Sequence, residues 1–92
     1  MWHVYIVQCS DGSLYTGSTT DIEARLKRHN AGKASKYTRS RRPVALVYTE
    51  EFDDRPTALS REIEIKNFGV ENKKRLIRFG LGQRSPSALD TI

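Results

Sequence analysis

Ninety-two residues allow one domain with one modest core, since a chain this short buries only roughly 60% of its unfolded surface. The 37% apolar and 29% charged shares exclude a disordered chain, and no run approaches the roughly 18 apolar residues of a membrane span. A net charge of +5 favours acidic partners such as nucleic acid, and a lone cysteine, Cys9, excludes an internal disulfide and fits a reducing, cytoplasmic setting.

Trp2 to Cys9 is rich in aromatic and β-branched residues and reads as a strand, apolar on both faces and therefore central. Cys9 reads as a small core residue. Ser10-Asp11-Gly12-Ser13 is a turn signal, and Leu14 to Ser18 is the returning strand of a hairpin. Thr20 with Glu23 three residues on forms a capping-box pattern. The helix it opens is predicted over about Asp21 to Ala31, with Ile22 and Leu26 on its apolar stripe and Gly32 just past its end. Lys33 to Pro43 shows no usable period and reads as a basic loop, carrying Lys33, Lys36, Arg39, Arg41 and Arg42 without an offsetting acid.

Val44 to Thr49 is a third strand, again apolar on both faces. Asp53 or Asp54 caps a second helix with Pro56 in its first turn. Ala58, Leu59, Ile63 and Phe68 are expected on its inner side, and Gly69 ends it. Val70 to Phe79 is a third helix, basic at Lys73, Lys74, Arg75 and Arg78. The segment 81–92 is expected to be a flexible tail on a domain spanning 1–80. The order β-β-α-β-α-α describes an α/β fold, a three-stranded antiparallel sheet flanked by helices.

The hairpin parity decides whether Tyr5 and Tyr15 can serve one site. A two-residue Asp11-Gly12 turn pairs Gln8 with Tyr15 and sends Tyr5 to the opposite face. A three-residue loop, Ser10-Asp11-Gly12 with Gly12 left-handed, pairs Val7 with Tyr15 and Tyr5 with Gly17. The second arrangement is the expected one, because both tyrosines then share a face and a glycine opposite Tyr5 leaves it room.

This order and five residues resemble the GIY-YIG nuclease superfamily, in particular its single-domain bacterial branch. His3-Val4-Tyr5 stands for the first half-motif and Tyr15-Thr16-Gly17 for the second. Arg25 and His29 follow on the first helix and Glu62 on the second. "DGSLYTGSTTD", "RLKRHN" and "KYTRSRRPVALVY" look like that branch's pattern, and the likeness covers about residues 2 to 77. It implies hydrolysis of phosphodiester bonds in DNA or RNA with one divalent metal, Mg²⁺ or Mn²⁺, on Glu62. Tyr5 and Tyr15 would line the site, Arg25 would neutralise the scissile phosphate, and His29 would assist proton transfer or orient a tyrosine. Gly17 would support them. Structure-selective cleavage in DNA repair or recombination is the corresponding expectation. Ser18 departs from the pattern of excision-repair relatives, which carry a lysine there.

Elementary chemistry agrees with this assignment. Phosphoryl transition states need fixed positive charge, and Mg²⁺ is commonly held by one or two carboxylates plus water and substrate oxygens. Arg25 and His29, spaced i, i+4, share a helix face. Lys33, Lys36, Tyr37, Arg39, Arg41 and Arg42 form the candidate nucleic-acid contact, with cations for phosphates and Tyr37 for an unpaired base. Target choice would then fall to that segment, to the third helix or to a protein partner. The plain alternatives are that Tyr5 and Tyr15 are core aromatics, that Glu62 forms an ordinary i, i+4 pair with Lys66, and that the chain is a non-catalytic nucleic-acid-binding module.

Overall fold

The computed structural model describes residues 1–80 of the chain; the tail expected at 81–92 lies outside them. Strands β1 (Trp2–Gln8), β2 (Leu14–Thr19) and β3 (Ala45–Phe52) form one antiparallel sheet in the order β2-β1-β3. Helices α1 (Ile22–Asn30) and α2 (Lys36–Arg39) precede β3, and α3 (Arg55–Lys66) and α4 (Val70–Phe79) follow it. Among the described residues no helix is long and apolar enough to cross a membrane.

β1 is central and covered on both faces, which is why Val4, Tyr5, Ile6 and Val7 are all buried. Alternation divides them between two cores. Val4 and Ile6 pack with Tyr48, Ala58 and Ile65 on the α3–α4 side. Tyr5 and Val7 pack with Cys9 and Val44 on the other side, next to Tyr15, Ile22 and Leu26. β3 lies at an edge and is not apolar on both faces as its sequence suggests. Ala45 and Leu46 are exposed, and the strand runs on to Phe52 through a buried glutamate, Glu50. A bulge at Val47 shifts its register against Ile6 and Val7.

The helix caps follow local chemistry, with one change from expectation. Asp21, not Thr20, caps α1: its carboxylate accepts the Ala24 N–H at 3.0 Å. The two adjacent residues are rival caps, and the carboxylate takes the place. Gly32 adopts φ 78° just beyond the helix. Asp54 caps α3 by accepting the Thr57 N–H, with Pro56 in the first turn. Gly69 is the N-cap residue of α4, while α3 ends at Lys66 with Asn67 as its C-cap.

The inner stripe of α3 differs from the predicted one. Ala58 and Ile65 are fully buried, whereas Ile63 is 60% exposed. The buried line therefore runs through 58, 62 and 65, and Glu62 sits on it.

Candidate active site

The hairpin positions the two tyrosines. Gly12 N–H donates to Cys9 O at 2.9 Å and Cys9 N–H donates to Ser13 O at 2.8 Å, closing a three-residue loop with Gly12 at φ 87°. Asp11 stiffens the loop by accepting from the Ser13 amide and hydroxyl. Val7 therefore pairs with Tyr15 and Tyr5 with Gly17, and both tyrosines face α1. A Cβ on Gly17 would stand 2.5 Å from the Tyr5 hydroxyl and 2.7 Å from its ring, so the ring lies directly over the glycine.

α1 delivers His29 onto this pair. The ring is 1% exposed, with the Tyr5 hydroxyl 2.8 Å from Nε2 and the Thr38 hydroxyl 2.8 Å from Nδ1. It meets Tyr5 and Tyr15 edge-on, at centroid distances of 5.7 and 5.4 Å. Thr38 comes from α2, a four-residue helix inside the segment expected to be loop. Ser35 caps it by accepting the Thr38 N–H. Nothing periodic marks so short a helix; the available signal was a serine three residues before Thr38, an N-cap spacing.

Glu62 enters from α3 at the β2 edge of the sheet, its side chain 14% exposed. Ser18 Oγ donates to its Oε1 at 2.6 Å, and Lys66 Nζ lies 2.9 Å from its Oε2. The i, i+4 pair considered from the sequence is thus formed, and Lys66 also stands 6.0 Å from the Tyr15 ring centroid. Arg25 Nη1 donates to the Ser18 carbonyl at 3.4 Å. Tyr5, Tyr15, Gly17, Arg25, His29 and Glu62 are thus brought together. Sequence reasoning missed Thr38, Ser35 and the positive role of Ser18, which orients the carboxylate.

Electrostatics link the two halves. Burial pushes the Tyr5 phenol up to about 12; the adjacent Arg25 opposes that rise, while Tyr15 and Glu62 add to it. Burial, and then the Arg25 charge, hold His29 below the ordinary imidazole value. At neutral pH the site therefore holds a protonated phenol against a neutral imidazole. Glu62 is the carboxylate available to a cation here, and among the described residues no three His, Cys, Asp or Glu side chains cluster as a metal cage.

The basic segment is more tied down than its sequence suggests. Arg41 is offset by an acid after all, donating to Asp11 at 3.1 Å, and also to the Tyr37 carbonyl at 2.8 Å. Its guanidinium lies 3.9 Å from the Tyr37 ring centroid, and that ring stacks on Tyr15 at 5.9 Å. Arg42 donates to the Arg39 and Asn30 carbonyls. Lys33, Lys36 and Arg39 project into solvent.

The match to known proteins follows this geometry. The GIY-YIG catalytic domain profile matches residues 1–75, and the chain belongs to the GIY-YIG family. It is 56% identical to a UPF0213 protein of Haloquadratum walsbyi over 84 residues, 91% of this chain and 94% of that one. A UPF0213 protein of Staphylococcus haemolyticus is 56% identical over 75 residues, 82% of this chain and 92% of that one. The solution structure of a UPF0213 protein from Bacillus halodurans matches with a TM-score of 0.57 at 43% identity, covering 87% of this chain and 86% of that one.

Proposed function

We propose that the chain is a metal-dependent endonuclease hydrolysing phosphodiester bonds, with DNA as substrate and structure-selective cleavage in repair or recombination as its setting. The observation that carries this reading is the buried Tyr5–His29 hydrogen bond, set beside Arg25 and a carboxylate, Glu62, on an otherwise apolar helix stripe.

The donor set fits a divalent cation of the Mg²⁺ or Mn²⁺ kind. Glu62 offers one oriented carboxylate, and such ions take their remaining oxygens from water and substrate phosphate. Lys66 now pairs with Oε2 and, being half-exposed, is free to swing away. When bound, the metal supplies positive charge to the phosphate and acidifies water.

Arg25 neutralises the phosphate charge, which grows as attack proceeds. A phenol that ionises only near 12 is not a phenolate at neutral pH, so Tyr5 acts as a conduit. The attacking water forms the new P–O bond and loses its proton to Tyr5 Oη. The Tyr5 proton passes to His29 Nε2, making an imidazolium, while the leaving P–O bond breaks and its oxygen takes a proton from solvent. Tyr15 walls the reacting atoms against Tyr37. Lys33, Lys36 and Arg39 hold the substrate backbone, and a protein partner supplies target selection.

The test is purified protein with Mg²⁺ or Mn²⁺ and a panel of single-stranded, duplex and branched DNA and RNA. Cleavage that disappears with Glu62→Gln supports the reading, and an intact panel overturns it. The Lys66–Glu62 pair favours a second reading, a non-catalytic nucleic-acid-binding module. Its signature is salt-sensitive binding without cleavage that persists in Glu62→Ala.

A further inference from the structure

His29 has two ring nitrogens, and each lies 2.8 Å from a hydroxyl: Tyr5 Oη at Nε2 and Thr38 Oγ1 at Nδ1. A hydroxyl can donate or accept, so neither contact alone fixes which nitrogen carries the proton. The surroundings do fix it. Tyr5 is a buried residue, and among the described residues the acceptor bonded to its hydroxyl is His29 Nε2; Arg25, the cation beside it, can only donate. The phenol proton therefore points at Nε2, which must be bare.

Thr38 agrees from the other side. It is fully buried, and its own hydroxyl has a separate acceptor in Ser35 Oγ at 2.9 Å, with the Ser35 carbonyl at 3.5 Å. With its proton turned to Ser35, Oγ1 presents lone pairs to Nδ1. An aliphatic alcohol is also a weaker acid than a phenol, so the phenol is the better donor to a bare ring nitrogen and the threonine the better acceptor of N–H.

We infer that Thr38 is the positioning residue that holds His29 in the Nδ1–H tautomer, leaving Nε2 free to take the proton of Tyr5. The short α2 helix, capped by Ser35, carries Thr38 as its buried residue and so brings this hydroxyl to the ring. The catalytic consequence rests on the nuclease reading; the tautomer itself does not. In the other tautomer Nε2 already carries a proton, donates it to Tyr5, and has no lone pair with which to receive another. Thr38 acts only through His29 and touches no reacting atom.

The tautomer is read directly from the His29 ring nitrogen and carbon chemical shifts of the isotope-labelled free protein near neutral pH. The wild type is expected to be predominantly Nδ1–H. Thr38→Ser keeps that state, whereas Thr38→Val, which removes the acceptor, moves the ring toward Nε2–H. Cleavage by Thr38→Val is expected to fall roughly 10- to 100-fold in kcat with little change in KM, and Thr38→Ser recovers most of it. A wild-type ring in the Nε2–H state overturns the inference, as does a folded Thr38→Val whose tautomer is unchanged. The wild-type spectrum decides the question even if Thr38→Val fails to fold. If the tautomer behaves as described and no variant cleaves any substrate, the positioning role stands and the nuclease reading falls.

Discussion

The Tyr5 hydroxyl lies 2.5 Å from the point where a Cβ on Gly17 would stand, so the strand glycine and the buried phenol share one volume. Gly17→Ala must therefore move a ring that is held by the sheet beneath it and by His29 beside it. The expected cost is about 1–3 kcal/mol, typical of overpacking a filled core. Urea denaturation reads that cost, and a changed His29 Nε2 shift reads the displaced hydroxyl. An alanine variant with wild-type stability and an unmoved His29 signal would contradict the packing described.

The depressed pKa of His29 sets a pH window for stability. The unfolded imidazole takes a proton as pH falls through about 6.5, while the folded one resists it because burial, and then Arg25, disfavour the cation. The unfolded state thus binds more protons below that value. The contribution is fully present above pH 6.5 and is lost as pH falls toward the folded pKa. Asp11 and Asp54, also depressed, give up their contributions only lower, near and below 3.8. The urea midpoint is expected to drop between pH 7 and 5, and His29→Gln to flatten that drop. A wild-type midpoint that stays level or rises over this interval would be the contrary result.

On the far side of the sheet, Glu50 accepts from Arg61 through Nε and Nη2, both at 2.9 Å, and from the Tyr48 hydroxyl. Arg61 also donates to Glu64 at 2.8 Å. Arg61→Ala leaves a largely buried carboxylate without its cation, and about 3 kcal/mol is the expected loss. Glu50→Gln with Arg61 intact should cost less, since the hydrogen-bonding shape survives. Arg61 precedes Glu62 on α3, so the same lesion is expected to shift the amide of Glu62 and weaken its hold on Ser18. Thermal melts that rank the two variants in the reverse order would refute this account of the pair.

Thr16 offers an opposite kind of test. Its hydroxyl is buried and has no hydrogen-bond partner among the described residues. Thr16→Val keeps the shape and removes the unsatisfied group, and should stabilise the fold by about 1 kcal/mol. For a domain of this size that corresponds to a rise of roughly 4–8 °C in Tm. A lowered Tm would mean that the hydroxyl has a partner after all.

What the sequence revealed, and what it hid, divides by range. The Tyr5–Gly17 pairing follows from strand parity and loop length, which are local and nearly discrete. The Asp54 cap with Pro56, and α4 over Val70 to Phe79, are equally local. α2 stayed hidden because four residues carry no helical period, and Thr38 stayed hidden because its partner is nine residues away in another element. Ile63 was misplaced by reading α3 as an ordinary apolar stripe. Its true inner line runs through Ala58 and Ile65 and includes Glu62, so a charge stands where a hydrophobic residue was expected. Lys66 looked like a routine surface partner because its spacing could not disclose Tyr15 beside it.

The most direct test of the central claim is Mn²⁺ titrated into isotope-labelled protein, with a phosphorothioate oligonucleotide present to supply phosphate oxygens and resist cleavage. The account predicts paramagnetic broadening centred on Glu62, Ser18, Tyr15 and Arg25, abolished by Glu62→Gln. Broadening scattered over exposed carboxylates such as Glu23 and Glu71, or unchanged in Glu62→Gln, would contradict it.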